Sequence, residues 1–118
     1  MEHIEMYREG IRYALENNPY IRIAGEAGNC MEIFGLLKNT PADLLLMGVD
    51  IYDGIGLEEV TRKIRRDYPA IKILAIADNH TSPKVQALME IGINGCVGKR
   101  ETSAHDLEKA IRIMATRN

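Results

Sequence analysis

Leu44-Leu45-Leu46-Met47-Gly48-Val49 is the stretch whose reading decides the fold. Successive side chains of a strand point to opposite faces, so a strand that is apolar at every position must be covered on both sides. That is the signature of a central parallel strand held between two layers of helices. The flanks agree with this. Upstream, Ile33, Phe34, Leu36 and Leu37 recur at helical spacing, with Asn29 as a plausible N-cap and Thr40-Pro41 as the stop. Downstream, Asp53-Gly54-Ile55-Gly56 is a loop. Leu57, Val60 and Ile64 then mark another helix, which ends near Asp67-Tyr68-Pro69.

The alternation continues outward in both directions. Ile71 to Ala77 reads as the next strand. Ser82-Pro83 is a cap followed by proline at the first helical position, with Val85, Leu88 and Met89 facing the core. Gly95-Cys96-Val97 is a short last strand, and Ser103 caps a final helix buried along Leu107, Ala110, Ile111 and Met114. Toward the N-terminus, a helix is expected from about Ile4 to Glu16, with Tyr7, Ile11, Ala14 and Leu15 on one face. Asn17-Asn18-Pro19 ends it, and Ile21 to Gly25 reads as a strand. The expected order αβαβαβαβα implies a parallel sheet covered on both faces, with right-handed crossovers. Function then belongs in the loops beyond the carboxyl ends of the strands.

Composition narrows the possible functions. The chain has 118 residues, which is one domain, expected to span 1–118. With 46% hydrophobic and 27% charged residues it can bury a core. Fifteen basic against 17 acidic residues give a net charge of -2, unlike the basic balance of nucleic-acid binders. The longest purely apolar run, Ile73–Ala77, is far below the roughly 20 residues of a membrane span. Met1-Glu2-His3-Ile4-Glu5 lacks the apolar centre of a secretory signal, and Cys30 and Cys96 match no metal spacing. A cytoplasmic protein without a membrane or nucleic-acid partner is expected.

Several chemistries are missing. There is no phosphate-binding Gly-Lys-Ser/Thr loop, no Gly-x-Gly-x-x-Gly fingerprint and no Gly-x-Ser-x-Gly elbow. His3, His80 and His105 lack metal spacing and read as solvated residues. What remains are the strand ends: Gly48, Asp50 and Asp53 after one strand, Ala77 and Asp78 after the next, and Lys99 after the last.

Here the sequence resembles the receiver domain of two-component response regulators, over almost the whole chain. Arg8-Glu9-Gly10-Ile11 is similar to the first helix of receivers that carry a helix-turn-helix domain. Gly25-Glu26-Ala27 resembles their second strand end. Pro41 to Met47 resembles the lead-in to the phosphoacceptor, and Gly92 to Lys99 the last strand with its lysine. The resemblance implies a flavodoxin-like (CheY-like) three-layer α/β/α sandwich with sheet order 2-1-3-4-5. It also implies an aspartyl acceptor, a pair of acids that helps hold Mg²⁺, a hydroxyl, an aromatic switch and a phosphate-reading lysine.

The chain departs from that set at most points. The acceptor position falls on Gly48, the hydroxyl on Ala77, the switch on Cys96, and the usual proline on Tyr52. The acidic pair falls on Glu2 and His3, leaving Glu2 as the one weak metal ligand, so no cofactor is expected. Only Lys99 is in place, as a phosphate-reading lysine, a leftover or a partner of Asp50. Asp50 is also a candidate displaced acceptor or metal ligand, whereas Asp53 before Gly54 reads as a turn residue. The Arg62-Lys63 and Arg65-Arg66 cluster reads as a solvated helix face, with an acidic partner as its functional alternative. Tyr7 and Phe34 read as core.

The apolar strand that precedes the acidic pair in the family has no counterpart in the chain. Removing a central strand strands backbone groups on its neighbours. Truncation upstream is the first explanation. A strand supplied by a partner, or direct pairing of Ile21–Gly25 with Leu44–Val49, are the others. The expected function is therefore a degenerate receiver that signals by protein contacts with a histidine kinase, another regulator or a second copy. The Ala87–Ile91 helix, the last strand and the final helix would supply the surface. The alternatives are phosphorylation at Asp50, or a small molecule bound where Gly48 and Ala77 leave space.

Overall fold

The computed structural model describes residues 11–13, 15–16, 18–27, 30–49, 56–100 and 102–116. After a helical stretch at residues 11–13 and 15–16, the elements run α1 (Cys30–Asn39), β1 (Leu44–Gly48), α2 (Leu57–Asp67), β2 (Lys72–Ala77), α3 (Pro83–Ile91), β3 (Gly95–Gly98) and α4 (Ala104–Thr116). The strands form a parallel sheet in the order β1-β2-β3. Leu44 stands opposite Lys72 and Gly48 opposite Ile76, while Leu74 to Ala77 stand opposite Gly95 to Gly98.

The continuous apolar pattern resolves into two cores, one on each face of the sheet. Leu45, Met47, Ile73, Ala75 and Ala77 join Ile33, Leu37, Val60, Ile64, Val85 and Leu88 of α1, α2 and α3. Leu74 and Ile76 join Leu15, Leu107 and Ile111, with Leu44, Leu46 and Val97 packed alongside. Alternate residues of one strand thus feed opposite layers, as the sequence predicts for a doubly covered sheet.

The helix starts are chemically specified. Ser82 Oγ accepts from Val85 N at 3.3 Å with Pro83 at the first helical position, and Ser103 Oγ accepts from Asp106 N at 3.1 Å. Loss of the first cap in Ser82→Ala is expected to cost about 1 kcal/mol. A urea titration measures it, and an unchanged midpoint would show that the cap contributes nothing. Asn94 ties β2 to the turn before β3: its Oδ1 accepts from Ile73 N at 2.8 Å and its N–H donates to Ile73 O at 2.8 Å.

Three expectations need correction. Residues 21–27 form no strand, so three strands, not four, are found among the described residues. Ile21 and Ile23 rest on the core shared by Leu15 and Ile111, while Ala27 is buried in the opposite core. The segment therefore passes around the sheet edge from one face to the other. Its apolar-polar alternation is satisfied by this crossing, and no ladder to Leu44–Val49 forms. Met89 does not face the core but is 47% exposed. Phe34 packs against the core as expected, half-buried, with the Lys63 ammonium 4.7 Å from its ring centroid. Arg65 leaves the solvated basic face: it is half-buried and donates to Ile71 O and, at 3.5 Å, to Pro69 O. Burial pulls its pKa below the usual guanidinium value. Tyr7, Asn29 as a cap and the start of the expected first helix lie outside the described residues.

Between β1 and the crossing segment lies a cavity of about 370 Å³. Ile11, Leu15, Ile23, Leu44, Leu46 and Gly48 are among its walls. It occupies the side of β1 on which the described residues place no strand.

Candidate functional site

The carboxyl ends of the three strands lie side by side because of the register. Gly48 is buried opposite Ile76, and Val49 N donates to Ile76 O at 2.9 Å. Ala77, 2% exposed, stands opposite Gly98, and Lys99 N donates to Ala77 O at 2.8 Å. Three residues singled out in the sequence, Gly48, Ala77 and Lys99, thus meet at one edge. Cys96 lies inside β3, half-buried against the core of α1, α2 and α3, with its Sγ donating to Val97 O at 3.8 Å. Glu2, His3, Asp50, Tyr52 and Asp53 lie outside the described residues.

The next loop is folded by its own side chains. Asn79 Oδ1 accepts from Thr81 N at 3.0 Å and from Thr81 Oγ1 at 2.7 Å, and Ser82 N donates to Asn79 O at 3.2 Å. An Asx-type turn of this kind is built from local side chains and needs no neighbour. Asp78, at the end of β2, is exposed.

The chemistry of this edge follows from what its side chains lack. Gly48 has no side chain, and the Ala77 methyl cannot donate to a phosphoryl oxygen. Lys99 supplies a cation. Among the described residues no three His, Cys, Asp or Glu side chains gather to hold a metal. Gly48 cannot take a covalent group.

A parallel sheet with helices on both faces and a lysine beyond its last strand is the arrangement that the resemblance to receivers implies. The chain belongs to the response regulator receiver domain family, whose model matches residues 1–112. It is 31% identical over 108 residues to the response regulator protein VraR of Staphylococcus aureus, a match over 92% of this chain and 51% of that protein. The chain spans about half the length of the curated relatives it matches. Among solved structures, a LuxR-family two-component response regulator from Aurantimonas shares 28% identity with a TM-score of 0.85, covering 97% of this chain and 80% of that one. The receiver domain of a response regulator NarL from Mycobacterium tuberculosis gives a TM-score of 0.85 at 19% identity, over 99% and 93% of the two chains. The isolated RcsB receiver of Salmonella enterica gives 0.82 at 23%, over 94% and 81%. These likenesses agree with the flavodoxin-like (CheY-like) fold expected from the sequence. The domain is a receiver, and receivers are signalling modules. No described helix is long and apolar enough to cross a membrane.

Proposed function

We propose that this receiver signals through protein–protein contact and not through aspartyl phosphorylation. The observation that carries the reading is Gly48, buried in register opposite Ile76 at the position where the family resemblance puts the acceptor. Ala77 beside it removes the hydroxyl that would follow a phosphoryl group. A receiver switches by shifting a two-state equilibrium, and a phosphoryl group shifts it only through contacts that differ between the states. With both contacts missing, partner binding sets the balance.

The partners in this reading are a histidine kinase, another regulator or a second copy, met in the cytoplasm. The contact surface is formed by α3, β3 and α4, where Met89 and Ile113 are 47% and 48% exposed. Chain 1–118 acts as one receiver domain, needs no cofactor, and serves as the receiver half of a transcriptional regulator. Lys99 remains as an anion-binding group, and Cys96 fills the switch position without an aromatic ring.

The test is intact mass after incubation with acetyl phosphate and Mg²⁺. The wild-type chain is expected to stay at its unmodified mass, as is Lys99→Ala. A phosphoryl adduct that disappears in Asp50→Asn would overturn the reading and make Asp50 a displaced acceptor. In that case Glu2 becomes the first residue to test as a metal ligand.

A further inference from the structure

Four of the chain's six methionines are described, and they differ in what surrounds the sulfur. Met31 and Met89 are exposed, and Met47 is wholly buried within β1. Met114, near the end of α4, is half-buried. It continues the stripe of Leu107 and Ile111 at helical spacing and packs against the core that these two share with Leu15, Leu74 and Ile76. An oxidant reaches an exposed thioether with little consequence for packing, and does not reach a sealed one. Met114 alone among the four is both reachable and part of the packing.

The end of Met114 has a specific seat. A Cβ on Gly95 would lie 2.5 Å from Met114 Cε and 3.7 Å from Leu74 Cδ1, so the methyl rests in the space that a side chain at the head of β3 would fill. The backbone at Gly95 does not call for glycine, because Gly92 is the one residue with positive φ among those described. Gly95 stands opposite Leu74 in the ladder, so the seat belongs to the sheet and the methyl to the helix. This contact fastens the C-terminal part of α4 to β3.

We propose that Met114 is a peroxide-sensitive fastener of α4. Hydrogen peroxide transfers one oxygen atom to the Met114 sulfur: an S–O bond forms from a sulfur lone pair, the O–O bond breaks, and water leaves. The thioether is oxidised and the peroxide reduced. The product is a polar sulfoxide whose oxygen accepts hydrogen bonds. Leu74, Ile76, Leu107 and Ile111 carry hydrocarbon side chains and have no donor to give it. The sulfoxide is therefore driven toward water, which lifts the methyl from Gly95 and loosens the end of α4. Reduction back to the thioether reseats it. The inference is independent of how the domain is or is not phosphorylated.

The test treats the full chain with graded hydrogen peroxide and follows each methionine by peptide mass mapping, with amide exchange of α4 read in parallel. Met31 and Met89 are expected to oxidise first, Met114 next and Met47 last. Exchange at residues 112–116 is expected to quicken about fivefold as Met114 oxidises, and not before. Methionine sulfoxide reductases supplied with a dithiol should restore it. Met114→Leu nearly conserves the volume and removes the sulfur, so its α4 should not respond to peroxide although Cys30 and Cys96 are retained. Gly95→Ala fills the seat, and the flexible end of Met114 yields to it, so Met114 should oxidise about threefold faster there. Oxidation of Met114 only together with Met47, that is, on unfolding, would overturn the proposal. So would complete oxidation of Met114 with unchanged exchange in α4. So would an equal response in Met114→Leu, which would move the sensitivity to another residue. Because the reductases act on the wild-type chain, the proposal stays testable if either variant folds poorly.

Discussion

Ile64→Ala is expected to lower the unfolding free energy by about 3–4 kcal/mol. Ile64 is 0% exposed, sits at the centre of α2, and packs into the core shared by α1, α2, α3 and one face of the sheet. Truncation removes its transfer energy and leaves a void that neighbours as well packed as Ile73, also 0% exposed, cannot refill. The better helix propensity of alanine offsets only about 0.5 kcal/mol. A fall in melting temperature of roughly 10–15 °C accompanies such a loss in a domain of this size. Urea and thermal unfolding measure both. A cost under 1 kcal/mol would mean that the α2 face is looser than its burial implies.

Gly92→Val is expected to be destabilising by about 2–4 kcal/mol. Gly92 closes α3 with φ at 138°, the one positive-φ residue among those described, and its N–H donates to Leu88 O at 3.0 Å. A Cβ there would meet Arg65 Cδ at 2.9 Å and Cγ at 3.0 Å. Arg65 cannot withdraw cheaply, since its guanidinium holds the carbonyls of Ile71 and Pro69 at the entrance to β2. Gly35→Ala is the control: nothing lies within 4 Å of its Cβ, and it sits inside α1, so it should be neutral or stabilising by up to about 1 kcal/mol. Equal effects in the two variants would remove both the strain and the Arg65 contact as causes.

These two sites mark where sequence reading stops. The periodicity of Leu57, Val60 and Ile64 gave the buried face of α2 directly. Leu44 to Val49 gave the doubly covered strand, because local pattern and tertiary burial coincide there. Arg65 was assigned to a solvated face because charge alone is visible in a sequence; the carbonyls that draw it inward belong to a loop placed by the fold. Met89 failed for a related reason, since α3 is short and the buried side of its apolar set is fixed by Val85 and Leu88.

The candidate site shows the same division. Gly48, Ala77 and Lys99 were each legible as strand ends, and the register brings them together as expected. That register also shows that the edge offers a lysine and no nucleophile at Gly48. The Ile21–Gly25 segment has the composition of a strand, but a strand exists only through its neighbour. The sequence carries no signal that this segment would go around the edge and leave a cavity behind.

The apolar side chains left outside on α3 and α4 have a colloidal consequence. Met89 and Ile113 are 47% and 48% exposed there, and exposed apolar surface favours self-association. A net charge of -2 gives little mutual repulsion to keep molecules apart. Concentration therefore matters more for this chain than its modest hydrophobic content suggests. A partner that covers that face acts at the same time as a shield against self-association.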